Sequence, residues 1–148
     1  MKVITPLPHH VFVWCELAKE FIKEVLTDYD WGMNEDDLHQ TYHLWDKENW
    51  GFLLESDGEI VGVLAGVITA HFFDYGNKFF NEFMWYVKPD YRKSGGGLLL
   101  YRALVDRCKY FGIKRIVMGH TSYMQEDFER IFKKLGFTYL QTNYEKVL

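Results

Sequence analysis

Between residues 89 and 104 the chain reads PDYRKSGGGLLLYRAL, with three consecutive glycines behind Arg92 and Lys93 and ahead of a leucine-rich helical pattern. A glycine inside a helix or strand costs roughly 0.5–1 kcal/mol relative to alanine, so such a run needs a use. The chemistry these residue types suit is anion binding. The first N–H groups of a helix have no intrahelical partner, and the macrodipole adds about half a positive charge at that end. Gly95, Gly96 and Gly97 would let the backbone come close to phosphate oxygens, with Arg92 and Lys93 adding charge at the mouth. An ordinary flexible turn is the alternative reading. Two familiar phosphate loops are excluded by the letters. No Lys-Ser or Lys-Thr follows the glycines, and Leu98, Leu99 and Leu100 stand where a G-x-G-x-x-G pattern would need its third glycine.

The elements that must position this loop follow from periodicity. Residues 9–26 predict an amphipathic helix, with Phe12, Leu17, Phe21, Ile22 and Val25 opposite Lys19, Glu20, Lys23 and Glu24. Asn34 before Glu35, Asp36 and Asp37 suits the cap of a second, shorter helix. From Trp50 the period changes. WGFLLES, then a DGE turn, IVGVLAGVITAHFF, a second turn at DYGNK, and FFNEFMWYVKP read as a three-strand antiparallel meander ended by Pro89. A helix over 97–110, a strand in IKRIVMG, a helix in MQEDFERIFKKL and a final pair of extended segments in FTYLQTNYEKVL complete the order, with Gly112 and Gly136 as helix stops. The expected architecture is α/β (α+β): a mixed, mostly antiparallel central sheet of six to seven strands with helices on both faces.

The 148 residues read as one domain, 1–148, with no repeat or linker. Apolar residues at 48% and charged residues at 26% are globular proportions, and aromatics at 18% suggest a bulky core. A net charge of −4 does not announce a nucleic-acid binder. No apolar run reaches the roughly 20 residues of a membrane helix, and the N-terminus lacks a signal-peptide pattern. Cys15 and Cys108 read as buried free thiols, and no histidine spacing forms a metal site. The expectation is a cytoplasmic domain without metal, membrane or nucleic-acid partner, compatible with a homodimer.

Tyr86-Val87-Lys88-Pro89-Asp90-Tyr91-Arg92, continuing to Gly97 as R-x-x-G-x-G, resembles the acyl-CoA loop of the GNAT superfamily of N-acetyltransferases. FERIFKKLGFTYL resembles that family's terminal helix, and the element order is similar as well. The resemblance implies acetyl-CoA as donor, its pyrophosphate held by backbone N–H groups from Arg92 through Lys93, Ser94, Gly95, Gly96, Gly97, Leu98 and Leu99. It implies that the strand edge at Tyr86 and Val87 bonds the pantetheine arm, that Val87 N–H supports the oxyanion, and that strand 113–119 splays away.

Transfer to an amine of pKa about 10.4 leaves only a few nucleophilic molecules per ten thousand at pH 7, so a base or water chain is expected. Glu82, flanked by Phe80, Phe83 and Trp85, is the candidate; apolar neighbours would raise its pKa. The family commonly places a Tyr, the acid for the thiolate, at the position of Phe132, and an Asn at that of Gln125; Phe132 has no proton to give. Tyr123 and His120, just past the fifth strand, are the substitutes considered, with water as a third route. Asp28, Tyr29, Asp30 and Trp31 would offer an acidic, aromatic pocket to a cationic amine. The expected activity is direct acetyl transfer in a ternary complex. A catalytically weak module that binds acyl-CoA or a protein partner is the alternative raised by Phe132.

Overall fold

The computed structural model describes residues 1–25, 34–47, 50–120 and 125–141. In chain order the elements are β1 (Lys2–Ile4), α1 (Val11–Val25), α2 (Glu35–Lys47), β2 (Gly51–Ser56), β3 (Glu59–His71), β4 (Asp74–Val87), α3 (Gly96–Tyr110), β5 (Arg115–Val117) and α4 (Gln125–Lys134). Short 3₁₀-helices at Pro8–His10 and Pro89–Ser94 lead into α1 and α3. The sheet order is β1-β2-β3-β4-β5, antiparallel except for the parallel pair β4/β5 that the α3 crossover makes possible.

Alternation along the strands gives the sheet two apolar faces. Leu53, Val63, Ala65, Met84 and Tyr86 pack with Val11, Trp14, Cys15, Leu17 and Ala18 of α1 and Tyr42 of α2. Phe52, Leu54, Leu64, Phe80 and Val87 pack with Leu100, Leu104 and Cys108 of α3. Helices therefore cover both faces, and burying a side chain such as Leu64 or Leu100 stabilises the fold by about 1.5–3 kcal/mol. Two residues break the alternation. Leu54 pairs with Gly62 and Glu55 with Ile60, so Val61 is an extra residue, a bulge that turns Val61 and Leu64 to the same face. In β4, Ala65 pairs with Met84 and Gly66 with Glu82, which leaves Phe83 as the extra residue.

The sheet has five strands among the described residues, not six to seven. Phe137–Gln141 forms no strand, and residues 142–148 lie outside the described residues. Phe137 is engaged elsewhere: its N–H donates to Phe132 O at 2.9 Å and Gly136 N–H to Lys133 O at 3.2 Å, with Gly136 at φ 83°. This closes α4 as a Schellman motif and packs Phe137 on Phe132, with ring centroids 5.2 Å apart. Thr138, Tyr139, Leu140 and Gln141 that follow are all exposed, so no buried face draws them into the sheet. The β3/β4 turn also differs from expectation. It is made by Phe72 and Phe73, while Tyr75–Asn77 stand out of register between Asp74 and Lys78. Asp74 organises that stretch by accepting from Gly76 N–H at 3.2 Å and Asn77 Nδ2 at 2.6 Å.

Among the described residues no helix is long and apolar enough to cross a membrane, and no three His, Cys, Asp or Glu side chains converge as a metal site. Cys15 and Cys108 are buried free thiols.

Candidate active site

β4 runs directly into the glycine loop. Lys88 N–H donates across to Val61 O at 2.9 Å, Tyr91 N–H closes the turn on Lys88 O at 2.9 Å, and Gly95 then enters the left-handed region at φ 82°. α3 begins at Gly96 with no side-chain cap. Leu99 N–H donates to Gly95 O at 3.1 Å, so Gly96, Gly97 and Leu98 carry the N–H groups that a first turn leaves without an intrahelical partner. The glycines differ in what they do. Gly95 supplies the positive φ. A Cβ on Gly96 would lie 2.4 Å from Leu54 Cδ2, so its lack of a side chain lets α3 sit down on the sheet. A Cβ on Gly97 would reach only ordinary contact, 3.5 Å from Trp85. Leu98 is exposed, Leu99 half-buried and Leu100 fully buried, which anchors the helix behind the loop.

The basic flank is less available than its sequence suggests. Arg92 lays its guanidinium on Glu24 of α1, with both N–O distances 2.6 Å, and donates from Nε to Val87 O at 2.8 Å. It also lies 5.4 Å from the centre of the Tyr86 ring. Its charge is matched by Glu24 rather than left at the loop mouth, and this pairing holds the Glu24 carboxyl below its usual range. The Ser94 hydroxyl donates to Tyr91 O and stays within the turn. Lys93 is exposed.

Among the described residues β4 and β5 pair only at Phe79–Asn81 with Arg115–Val117, and no ladder pairing follows. N–H groups alternate along a strand. Since Lys88 N–H faces β3, Val87 and Trp85 present theirs to the other side, where no strand among the described residues pairs with them. Tyr86, expected at that edge, does not stand there. Its main chain is in register with Val63, and its hydroxyl donates to Glu20 Oε2 at 3.2 Å and Glu24 Oε2 at 3.4 Å. Burial first, then Glu20 and Glu24, pushes the Tyr86 hydroxyl up to about 12.

Glu82 lies beside the Phe83 bulge, at the point where the two strands separate. Glu82 is half-buried, and burial pushes its carboxyl up to about 7. Gly119 N–H, 3.3 Å from Oε2, favours the charged form and opposes that rise. Among the described residues no cation pairs with it. Phe132 of α4 stacks on Trp85 of β4, with centroids 6.5 Å apart and planes at 26°. The same ring stacks on His120 at 6.1 Å and 30°, so it bridges the opening between the strands. Phe128 joins the cluster, 5.7 Å from Phe132 and 6.2 Å from Trp85.

The fold thus gathers Val87, the 92–99 loop, Glu82, His120 and Phe132 around one opening. Gln125 is the first residue of α4. Tyr123, Asp28, Tyr29, Asp30 and Trp31 lie outside the described residues. Sequence reasoning missed Glu24, Trp85 and Gly119. Glu24 had a helical polar face as its only signal, and a main-chain donor such as Gly119 has none. A separate groove of about 520 Å³ beside α3, lined by Val3, Phe52, Ala103, Arg107 and Tyr110 among others, shares no residue with this opening.

The sequence matches the acetyltransferase (GNAT) family over residues 14–137. No curated protein matches the chain significantly. Among solved structures it is similar to a predicted acetyltransferase from Clostridium acetobutylicum, solved with acetyl-CoA, at TM-score 0.78 and 13% identity over 99% of this chain and 95% of that one. It is similar to the ribosomal-protein-alanine N-acetyltransferase of Brucella melitensis biovar Abortus 2308 at TM-score 0.76 and 13% identity over 100% of both chains. An aminoglycoside 6′-N-acetyltransferase from Acinetobacter haemolyticus aligns at TM-score 0.74 and 19% identity over 100% of this chain and 99% of that one. At these identities the structural likeness is one of fold. With the family match spanning most of the chain, the protein belongs to the GNAT family of acetyltransferase enzymes.

Proposed function

We propose that the protein transfers an acetyl group from acetyl-CoA to a primary amine, on a small cationic molecule or a protein, by direct attack in a ternary complex. One observation carries the reading. The unpaired N–H groups at the start of α3 adjoin an open β4 edge that leads down to a carboxyl with pKa about 7.

The N–H groups around Gly95, Gly96 and Gly97 suit a pyrophosphate, because they carry the helix's positive end and no side chain stands over Gly95. The outward N–H groups of Trp85 and Val87 suit the amide-bearing arm of the donor, and Val87 N–H is the assigned oxyanion donor. Glu82 is the assigned base. About half ionised near pH 7, it can take the ammonium proton, through water where needed, as the nitrogen attacks the thioester carbonyl. The new C–N bond forms, the C–S bond breaks, and the thiolate leaves, while the second proton that the nitrogen sheds on becoming an amide passes to water. Phe132 cannot protonate it, so His120, which stacks on that ring, Tyr123 or water supplies the proton. Cys15 and Cys108 are buried in the two cores, away from this opening, which fits transfer without a cysteine-bound intermediate. The acceptor is assigned to the segment holding Asp28, Tyr29, Asp30 and Trp31 on its acidic and aromatic composition.

The second reading is a module that binds acyl-CoA without efficient turnover, favoured by a phenyl ring where a proton donor would serve. One experiment separates them. Acetyl-CoA binding is measured by calorimetry, and thiol release is followed across a panel of aminoglycosides, polyamines and lysine peptides. Binding with acceptor-dependent thiol release supports the enzyme; binding without release supports the module. No binding sinks both.

A further inference from the structure

Arg92 belongs to the loop motif, yet its side chain reaches across to Glu24 of α1 rather than along the turn it belongs to. Three of its five N–H groups are used: Nε on Val87 O at 2.8 Å and one from each terminal nitrogen on Glu24 at 2.6 Å. The fork-on-fork geometry fixes orientation as well as charge, and lysine cannot reproduce it. The Tyr86 ring supports the guanidinium from one side, and the Tyr86 hydroxyl donates to Glu20 and Glu24. The last turn of α1, the end of β4 and the 89–94 turn are thereby joined at one point, four residues before the first unpaired N–H of α3.

We infer that Glu24 is a positioning residue for the donor loop. By holding the Arg92 guanidinium against the Val87 carbonyl, it sets the turn that presents the N–H groups of Gly96, Gly97 and Leu98. The phosphate charge then falls to the main chain and the helix end, not to Arg92. The inference rests on the proposed function, since it takes that loop to be the acetyl-CoA site. Glu24 itself touches neither donor nor acceptor. It acts through Arg92.

The opposite assignment, Arg92 as a direct phosphate ligand, predicts the opposite sign. Removing the Glu24 charge would free the guanidinium for phosphate and tighten donor binding. The test is the dissociation constant for acetyl-CoA, by calorimetry, of the parent chain, Glu24→Gln, Arg92→Gln and the double variant, with melting temperatures alongside. Each single variant is expected to bind about tenfold more weakly, and the double no worse than either single, because the two residues act as one unit. If Glu24→Gln fails to fold, Glu24→Asp, too short for the two-point contact, gives the same reading. Unchanged or tighter binding by a folded Glu24 variant overturns the inference, as do additive losses in the double variant. A drop in melting temperature with intact affinity makes the pair merely structural and overturns it too. Failure of the parent chain to bind acetyl-CoA overturns the proposed function, and the inference falls with it.

Discussion

Glu82 carries two consequences of opposite sign. As the assigned base it must be ionised, so kcat/KM is expected to fall as pH drops below about 7. Glu82→Gln should lower kcat/KM by about 10²–10⁴-fold and abolish that limb in a pH–rate profile. For stability the folded pKa is raised, so the fold binds a proton that the unfolded chain has released. Stability is then fullest below the unfolded value and falls as pH rises from about 4.5 to about 7, by up to about 3 kcal/mol. Glu82→Gln should therefore melt higher than the parent chain at pH 8 and at nearly the same temperature at pH 4. A variant that is slow yet no more stable at pH 8 would show that the carboxyl is not held in a desolvated place. The direction of this shift was legible from Phe80, Phe83 and Trp85 alongside. The opposing Gly119 N–H was not, because it comes from 37 positions away through the β4/β5 pairing.

The glycine run was legible as an element boundary, but its residues are not equivalent, and substitutions should separate them. Gly96→Ala places a methyl 2.4 Å from Leu54 Cδ2, and Leu54 is fully buried with little room to move. A cost of about 1–3 kcal/mol and weaker acetyl-CoA binding are expected. Gly95→Ala meets no atom but must hold φ 82°, at about 1–2 kcal/mol. Gly97→Ala lies in helical backbone with only ordinary contacts and should be neutral or stabilising by up to about 1 kcal/mol. Urea unfolding of the three variants checks the order, and any loss of affinity in Gly97→Ala alone would report on ligand approach. Helix ends were readable for a similar reason. Gly112, at φ 69°, and Gly136 each close a helix with the paired bonds of a Schellman motif, and only glycine adopts that backbone freely. The extended segment expected from Phe137 was misread because Phe137 looks like the start of a strand, although it serves as the apolar partner of Phe132 in the cap. The β3/β4 turn was misplaced because Asp74, Gly76 and Asn77 are turn residues by type but form an out-of-register bulge beside it.

Across the whole molecule, stability is concentrated where β2, β3 and β4 are covered from both sides, and it thins toward the β3/β4 turn. β2 ends opposite Ala65 and β5 begins opposite Phe79, so the chain from Val67 to Lys78 is a ribbon of two strands that pair with each other alone among the described residues. Two-stranded ribbons are marginal by themselves. Phe72 and Phe73 at the tip are 79% and 87% exposed, whereas Phe80 and Leu100 are 0% exposed. Leu100→Ala should cost about 2–5 kcal/mol through the transfer and cavity terms, while Phe73→Ser should stay within about 0.5 kcal/mol of the parent chain. Hydrogen exchange should trace the same gradient. Amides of Ala70, His71 and Tyr75–Lys78 are expected to exchange on the order of 100-fold faster than those of Leu53, Val63 and Leu64, because the ribbon can open without disturbing either apolar face. Uniform protection along β3 and β4 would mean that the arm opens only with the whole sheet. Phe73→Ser would then lower the melting temperature, even though that ring touches neither of the apolar cores.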